Sequence, residues 1–207
     1  MTRFKICGLT QAQDVHRAIE VGAHAIGFVH IPGSRRYVSA VQLRTLTHEA
    51  SPLITRVAVI SDLPLEEVQK LADKAEIDAF QLHGQESVAY VQALRQILPP
   101  HFAIFKAIRV RRPSDLAIAS SFQGWTQALV LDSGGGTGHP FDWNLLTGWV
   151  SSLPIILAGG LTPENVAGAI AQVRPYAVDV SSGVEKSPGL KDPELLASFA
   201  SAVERAH

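Results

Sequence analysis

The 207-residue chain lacks the features that would connect it to a membrane, to nucleic acid or to an oxidising compartment. A single cysteine, Cys7, excludes an intrachain disulfide framework and any site built from several cysteines. With 18 Lys and Arg against 19 Asp and Glu, the chain has no broad basic field to hold nucleic acid. No apolar run approaches the roughly 18 residues of a membrane span, and the first apolar run is too short for a secretory signal. We therefore expect a cytoplasmic protein with neither a membrane nor a nucleic-acid partner.

Eight short apolar runs alternate with longer segments of helical periodicity. Runs of this length without polar alternation are typical of parallel strands that are covered on both faces. Ser39, Pro64 and the segment Thr162-Pro163-Glu164-Asn165 carry helix-start signals between them. The predicted strands cover residues 4–7, 25–29, 54–60, 79–82, 103–108, 128–131, 155–158 and 177–180.

Eight strand–helix units are compatible with an open doubly wound sheet or with a closed eightfold barrel. The barrel is favoured because the count is eight and because unusual polar residues follow many different strands. The first turn, Cys7-Gly8-Leu9-Thr10, also lacks the GxGxxG pattern of a dinucleotide-binding fold. We predict an α/β protein consisting of a single (β/α)8 TIM barrel, with residues 1–207 forming one domain.

Glycines and serines follow the last two predicted strands, where many barrels bind phosphate through backbone N–H groups. Gly159-Gly160 comes after the seventh strand, and Ser181-Ser182-Gly183 comes after the eighth. We expect a short extra helix near Gly189 to add its partial positive charge. The alternative interpretation is that these glycines only permit tight turns. Two adjacent loops of this kind favour a phosphate site.

Cys7 and Asp142 are the candidates for proton transfer. A lone cysteine is often an inert, buried apolar residue, but Cys7 stands at the end of the first predicted strand, where a thiolate base would face the site. Asp142 precedes a helical segment and fits an N-cap, whereas the glycine-rich stretch before it could also carry its carboxyl group into the barrel mouth. These two roles are compatible.

Four further polar residues are substrate-binding candidates because a barrel would place them at its mouth. Arg36, beside Arg35, offers a guanidinium that could grip a carboxylate, although solvent exposure is the default for either arginine. His83 also fits a turn histidine, and Gln81 and Asp132 are singled out only by the barrel assignment. No HExxH pattern or His/Cys cluster is present, so we expect no metal.

The ordered set of motifs resembles the phosphoribosylanthranilate isomerase family of tryptophan biosynthesis, over nearly the whole chain. Each motif alone is weakly specific for the family, but the combination of Lys-Ile-Cys-Gly with Phe-Asp-Trp is highly specific for it. The motifs are Lys5-Ile6-Cys7-Gly8-Leu9-Thr10, Gln81-Leu82-His83-Gly84, Leu131-Asp132-Ser133 with Gly135-Gly136-Thr137-Gly138, Phe141-Asp142-Trp143, Leu157-Ala158-Gly159-Gly160-Leu161 and Val178-Asp179-Val180-Ser181-Ser182-Gly183-Val184-Glu185.

The resemblance implies the eightfold barrel and a cofactor-free Amadori rearrangement of N-(5-phosphoribosyl)anthranilate, a small phosphosugar. By the family pattern, Cys7 matches the general base and Asp142 the general acid, which requires a thiolate and a protonated carboxyl group. Arg36 matches the residue that holds the anthranilate carboxylate, although the family's usual Ser-Pro-Arg is Ser34-Arg35-Arg36 here. The residues after the last two strands match its phosphate site, and Asp179 takes a supporting place near the ligand.

Two other functions remain open from the sequence. One is another small phosphosugar barrel, such as a histidine-pathway aminoaldose isomerase or a pentose-phosphate epimerase. The other is a non-catalytic barrel that binds a phosphosugar. The sequence is compatible with a monomer or a homodimer.

Overall fold

A computed structural model describes residues 1–134, 140 and 142–206. Its strands are β1 (Arg3–Cys7), β2 (Ala25–Val29), β3 (Thr55–Ile60), β4 (Ala79–Leu82), β5 (Ala103–Arg109), β6 (Ala128–Asp132), β7 (Ile155–Ala158), β8 (Ala177–Val180), β9 (Glu185–Ser187) and β10 (Leu190–Lys191). The α-helices are α1 (Ala12–Glu20), α2 (Ala40–His48), α3 (Leu65–Lys74), α4 (Val88–Ile97), α5 (Val166–Val173) and α6 (Pro193–Arg205). Three 3-10 helices complete the described elements, at Pro113–Phe122, Trp143–Leu146 and Ser182–Val184.

The first eight strands form a closed parallel barrel in chain order. Closure is made by β1 and β8, which pair in parallel with Lys5 opposite Asp179. An open doubly wound sheet would have two edge strands, whereas each of the first eight strands here pairs with a neighbour on both sides, which confirms the (β/α)8 TIM barrel that the sequence predicted. All eight strand–helix units belong to this one barrel.

Helix starts follow local side-chain chemistry. Ser39 caps α2, where its hydroxyl accepts from the Gln42 N–H while the Gln42 side chain accepts from the Ser39 N–H. Helix α3 begins at Leu65, directly after Pro64, as predicted. Helix α5 begins later than the Thr162-Pro163 signal predicted: Asn165 is the N-cap and Val166 is the first helical residue.

The barrel separates two apolar layers. The larger layer lies between the strands and the helices, and it includes the fully buried Phe28, Phe80 and Phe199. A smaller cluster includes Val130 and Ile156, whose neighbours along the strands belong to the larger layer, so alternation places this cluster inside the barrel. This inner cluster is the apolar base on which the polar residues at the carboxyl ends of the strands rest.

Candidate active site

A cavity of about 370 Å³ opens at the carboxyl ends of the strands. This is the end at which TIM barrels place their sites. Of the site residues predicted from the sequence, all except Asp142 and Gly183 line it. The predicted residues in its wall are Cys7, Arg36, Gln81, His83, Asp132, Gly159, Gly160, Asp179, Ser181 and Ser182.

The Cys7 thiol lies at the end of β1 and is almost completely buried. Burial raises the pKa of this thiol, because a low-dielectric surrounding disfavours the thiolate. The ammonium group of Lys5 acts in the opposite direction, but burial prevails in the ligand-free protein. The thiolate that general-base chemistry requires is therefore not favoured by the location of Cys7 alone, and its formation depends on neighbouring cations.

Lys5 and Asp179 form a buried ion pair beside this thiol. Nζ of Lys5 lies 2.5 Å from Oδ2 of Asp179, and both side chains are at most 6% exposed. Burial lowers the pKa of Lys5, but the electrostatic attraction and hydrogen bonds with Asp179 and Cys7 together outweigh this and leave that pKa above its usual value. The pKa of Asp179 is also raised, by burial. Lys5 lies within an apolar run of the sequence and was not predicted to be a site residue.

Arg36 is held by a carboxylate of its own chain. Its Nε and Nη2 donate to the two oxygens of Glu185 at 2.8 and 2.6 Å, which is a bidentate ion pair. Lys191 is fully buried and donates to Glu185 at 2.8 Å, to the Cys7 carbonyl at 2.6 Å and to the Ser181 carbonyl at 3.1 Å. We call Arg36, Glu185 and Lys191 the arginine clamp. It fixes one edge of the guanidinium and leaves Nη1 without a bond to Glu185.

Three buried polar atoms have no hydrogen-bond partner within the described residues and belong to side chains that line the cavity. They are Oε1 of Gln81, Nδ1 of His83 and Oδ1 of Asp179. A buried polar atom without a partner costs free energy that a ligand can recover by hydrogen bonding. The placement of these side chains is consistent with the binding roles that the sequence analysis gave them.

The loops after β7 and β8 lie against each other. Gly159 and Gly160 both have positive φ, of 85° and 65°. A side chain on Gly183 would collide with the Leu161 carbonyl, so only glycine permits this approach of the two backbones. Residues of both loops, Gly159, Gly160, Ser181 and Ser182, line the same cavity.

The expected short helix near Gly189 is wrong. Gly189 forms the turn of a hairpin between β9 and β10. The 3-10 helix lies earlier, at Ser182–Val184. The hairpin brings Glu185 and Lys191 together, and the Gly189 N–H donates to the Glu185 carboxylate at 3.2 Å. The segment thus supports the arginine clamp.

Asp142 caps the 3-10 helix Trp143–Leu146. Its Oδ1 accepts from the Asn144 N–H at 3.0 Å, as the N-cap interpretation predicted. The residue is exposed and is not among the residues that line the cavity. The Gly135-Gly136-Thr137-Gly138 motif and Phe141 lie outside the described residues. The acid role of Asp142 stays a prediction.

The described residues contain neither a cluster of metal ligands nor a membrane-spanning helix. Among the described side chains, no group of three or more His, Cys, Asp or Glu is arranged to hold a metal ion. Within residues 1–134, 140 and 142–206, no helix has the length and apolar content needed to cross a bilayer. The predicted absence of a metal and of a cofactor stays a prediction.

A closed eightfold barrel with a polar cavity at the carboxyl ends of its strands has the architecture of a TIM-barrel enzyme. The family model for N-(5'-phosphoribosyl)anthranilate (PRA) isomerase matches residues 4–202. The chain therefore belongs to the PRA isomerase family, isomerases of tryptophan biosynthesis, as the motifs predicted.

Relatives that are N-(5'-phosphoribosyl)anthranilate isomerases align along nearly the whole chain. The N-(5'-phosphoribosyl)anthranilate isomerase of Geobacter sp. (strain M21) is 41% identical over 210 residues, covering 99% of each chain. That of Citrifermentans bemidjiense is 43% identical over 199 residues, covering 94% of this chain and 93% of the relative.

Solved structures agree with this assignment. The phosphoribosyl anthranilate isomerase of Thermotoga maritima superimposes with a TM-score of 0.91 at 36% identity, covering 99% of this chain and all of that one. Another Thermotoga maritima structure, with a TM-score of 0.88 at 34% identity and the same coverage, is described as monomers generated from a dimeric enzyme. A third structure, with a TM-score of 0.89 at 35% identity and the same coverage, contains reduced 1-(o-carboxyphenylamino)-1-deoxyribulose 5-phosphate.

Proposed function

We propose that the chain converts N-(5-phosphoribosyl)anthranilate into 1-(2-carboxyphenylamino)-1-deoxyribulose 5-phosphate, without a metal or cofactor. The observation that carries this proposal is the single cavity wall shared by Cys7, Arg36, Asp179 and the two glycine loops. Such a wall combines a proton acceptor with groups for two anions. A phosphosugar bearing an aromatic carboxylate has both anions, and a relative of the same fold is known with the reduced product.

The reaction requires one proton to be donated and one to be removed. In our proposal, the Asp142 carboxyl group protonates the ribose ring oxygen, the ring opens, and nitrogen and C1 form an iminium. The Cys7 thiolate then takes the C2 proton, giving an enolamine, which becomes the ketone when C1 gains a proton and the C2 hydroxyl loses one. Cys7 ends as thiol and Asp142 as carboxylate, so a proton must return from sulfur to carboxylate before the next turnover. Each group contributes about 10²–10⁴-fold.

We assign the two anions to two different sets of groups in the cavity wall. The backbone N–H groups of Gly159, Gly160 and the Ser181-Ser182-Gly183 turn bind the phosphate. The edge of Arg36 that Glu185 leaves free binds the anthranilate carboxylate. The clamp already fixes the guanidinium, so little side-chain entropy is lost when the carboxylate binds.

The remaining polar side chains in the wall bind the sugar. Gln81, His83 and Asp179 each present an unpartnered buried atom to the ribose hydroxyls. Asp132 uses Oδ1 to accept from the Gly134 N–H at 2.5 Å, which leaves its other oxygen for the ligand. These contacts orient C2 toward sulfur.

Loss of anthranilate-type fluorescence, with phosphoribosylanthranilate generated in situ, tests the proposal. We expect the wild type to turn over this compound, and Cys7→Ser and Asp142→Asn each to lose at least about 10²-fold in kcat. Turnover of the histidine-pathway aminoaldose alone would instead assign the chain to the sister reaction. Binding of the reduced product without turnover by the wild type would show a non-catalytic barrel.

A further inference from the structure

Lys5 is a charged residue in the middle of a buried strand, and the proposed chemistry assigns it no part. Successive residues of a strand point to opposite sides, so Lys5 and Cys7 face the same side of β1. Phe4 and Ile6 pack in the layer between barrel and helices, which places Lys5 and Cys7 toward the barrel interior. The ammonium therefore lies on the same side of β1 as the thiol, and Lys5 is two residues nearer the start of the strand.

Gly27 of β2 provides the space in which these two side chains meet. A methyl group at Gly27 would lie 2.7 Å from Sγ of Cys7, 2.9 Å from Cε of Lys5 and 3.2 Å from its Nζ. Sulfur and ammonium thus occupy the volume that a side chain on Gly27 would fill. The register explains this, because Lys5 pairs with Ala25 and Cys7 with Gly27.

We propose that Lys5 is a positioning residue of the reaction, whose ammonium, held in place by Asp179, stabilises the Cys7 thiolate that removes the substrate proton. This inference rests on the proposed role of Cys7 as base. The positive charge is kept in the barrel by its carboxylate partner, and only one oxygen of Asp179 is used for this. The other oxygen stays available to the ligand.

Other charged groups also affect the pKa of the Cys7 thiol. Lys191 from β10 favours the thiolate, and Asp179 from β8 opposes it. Arg36 from the loop after β2 also interacts with the thiol, while His83 after β4 and Asp132 of β6 act on Asp179. Lys5 is the largest of the influences that lower the pKa of Cys7 against the effect of burial.

The test is a pH titration of Cys7 in the ligand-free protein, in which the ultraviolet absorbance of the thiolate reports its ionisation. Because Cys7 is the only cysteine, the signal belongs to one group, and Cys7→Ser subtracts the three tyrosines. The main variant is Lys5→Met with Asp179→Asn, which removes both charges and leaves neither buried alone. Lys5→Gln, which keeps a hydrogen-bond donor toward Asp179, is the second variant.

A matched control comes from the other face of the barrel. Lys106 and Glu86 form a buried pair at 2.7 Å, but Lys106 alternates with the inward-facing Phe105 and Ala107. We expect Lys106→Met with Glu86→Gln to leave the ionisation of Cys7 unchanged. Both Lys5 variants should raise the thiol pKa, by about one unit or more in Lys5→Gln. The rise should be smaller in the double variant, because it also removes the Asp179 charge that opposes the thiolate.

A second readout separates positioning from mere stability. In the Lys5 variants, the thiolate limb of the kcat/KM profile against pH should move upward by the same amount as the thiol pKa. An unchanged thiol pKa in the Lys5 variants, or an equal shift in the Lys106 control, overturns the role of Lys5. Absence of turnover by the wild type would instead refute the proposed function, whatever the thiol titration shows.

Discussion

Replacing Glu185 with Gln removes the carboxylate at the centre of the arginine clamp. One side chain there accepts from Arg36 twice, from Lys191 at 2.8 Å and from the Gly189 N–H. Glutamine offers one oxygen and turns an N–H₂ donor toward cationic donors. Two cations then remain in a site where the side chain of Lys191 is fully buried and that of Arg36 is 13% exposed.

The magnitude follows from this burial. Removing one partner of a buried ion pair costs about 3–5 kcal/mol, because the remaining charge stays desolvated. For a domain of this size each kcal/mol lowers Tm by about 2–4 °C, so we expect Glu185→Gln to lower Tm by about 6–20 °C. Arg36 also loses its support, and KM for the anthranilate-bearing substrate should rise more than kcat falls.

Thermal and urea unfolding measure the effect, and Glu67→Gln is the control. Glu67 and Lys70 form an ion pair at 2.7 Å, about as short as that of Glu185 and Lys191, but both side chains are more than half exposed. The Glu67 variant should unfold almost as the wild type does. If Glu185→Gln destabilised the protein no more than Glu67→Gln, the reasoning from burial would be refuted.

Three further predictions concern pH, packing and carboxylate binding. Burial raises the pKa of Glu185, but its hydrogen bonds hold it below the usual value, so its stabilising contribution is complete above the unfolded-state pKa and is lost as the pH falls through the folded-state pKa. Urea unfolding at a series of acidic pH values should therefore show a shallower loss of stability in Glu185→Gln, whereas parallel curves would contradict this. Gly27→Ala should cost about 1–3 kcal/mol and most of the activity because its methyl group meets Cys7. The control is Gly168→Ala on α5, where a methyl group meets no neighbour, and this variant should be more stable than the wild type by up to about 1 kcal/mol. Equal free energies of unfolding for the two variants would contradict the close contact between residue 27 and Cys7. Arg36→Ala should weaken binding of the reduced product far more than of inorganic phosphate in calorimetry, and equal weakening would remove it from the carboxylate role.

The barrel could be predicted from the sequence because each strand is a local feature. The runs at 79–82 and 155–158 are short, apolar and bounded by polar or turn-forming residues, and the structure gives β4 and β7 the same bounds. Their number then selected a closed barrel, and placement of Gln81 and His83 at its mouth followed from topology alone.

The ionic contacts of the site could not be predicted in the same way. Lys5 and Asp179 are 174 positions apart, and only closure of the barrel pairs them. Each of the two residues is a charged side chain inside an otherwise apolar run, which marks it as unusual. The sequence of a run does not show which other strand it will contact. The hairpin of β9 and β10 escaped detection because its strands have three and two residues and mixed polarity. Without the hairpin, Glu185 appeared to be a loop residue.

In our proposal, Cys7 removes the C2 proton inside a cavity that binds substrate without its help. The most direct test compares Cys7→Ala with the wild type in two measurements, affinity for the reduced product and single-turnover formation of product from phosphoribosylanthranilate. We predict affinities within about threefold of each other and a rate of product formation lowered by at least about 10²-fold in the variant. A Cys7→Ala protein that forms product within about tenfold of the wild-type rate would contradict the account.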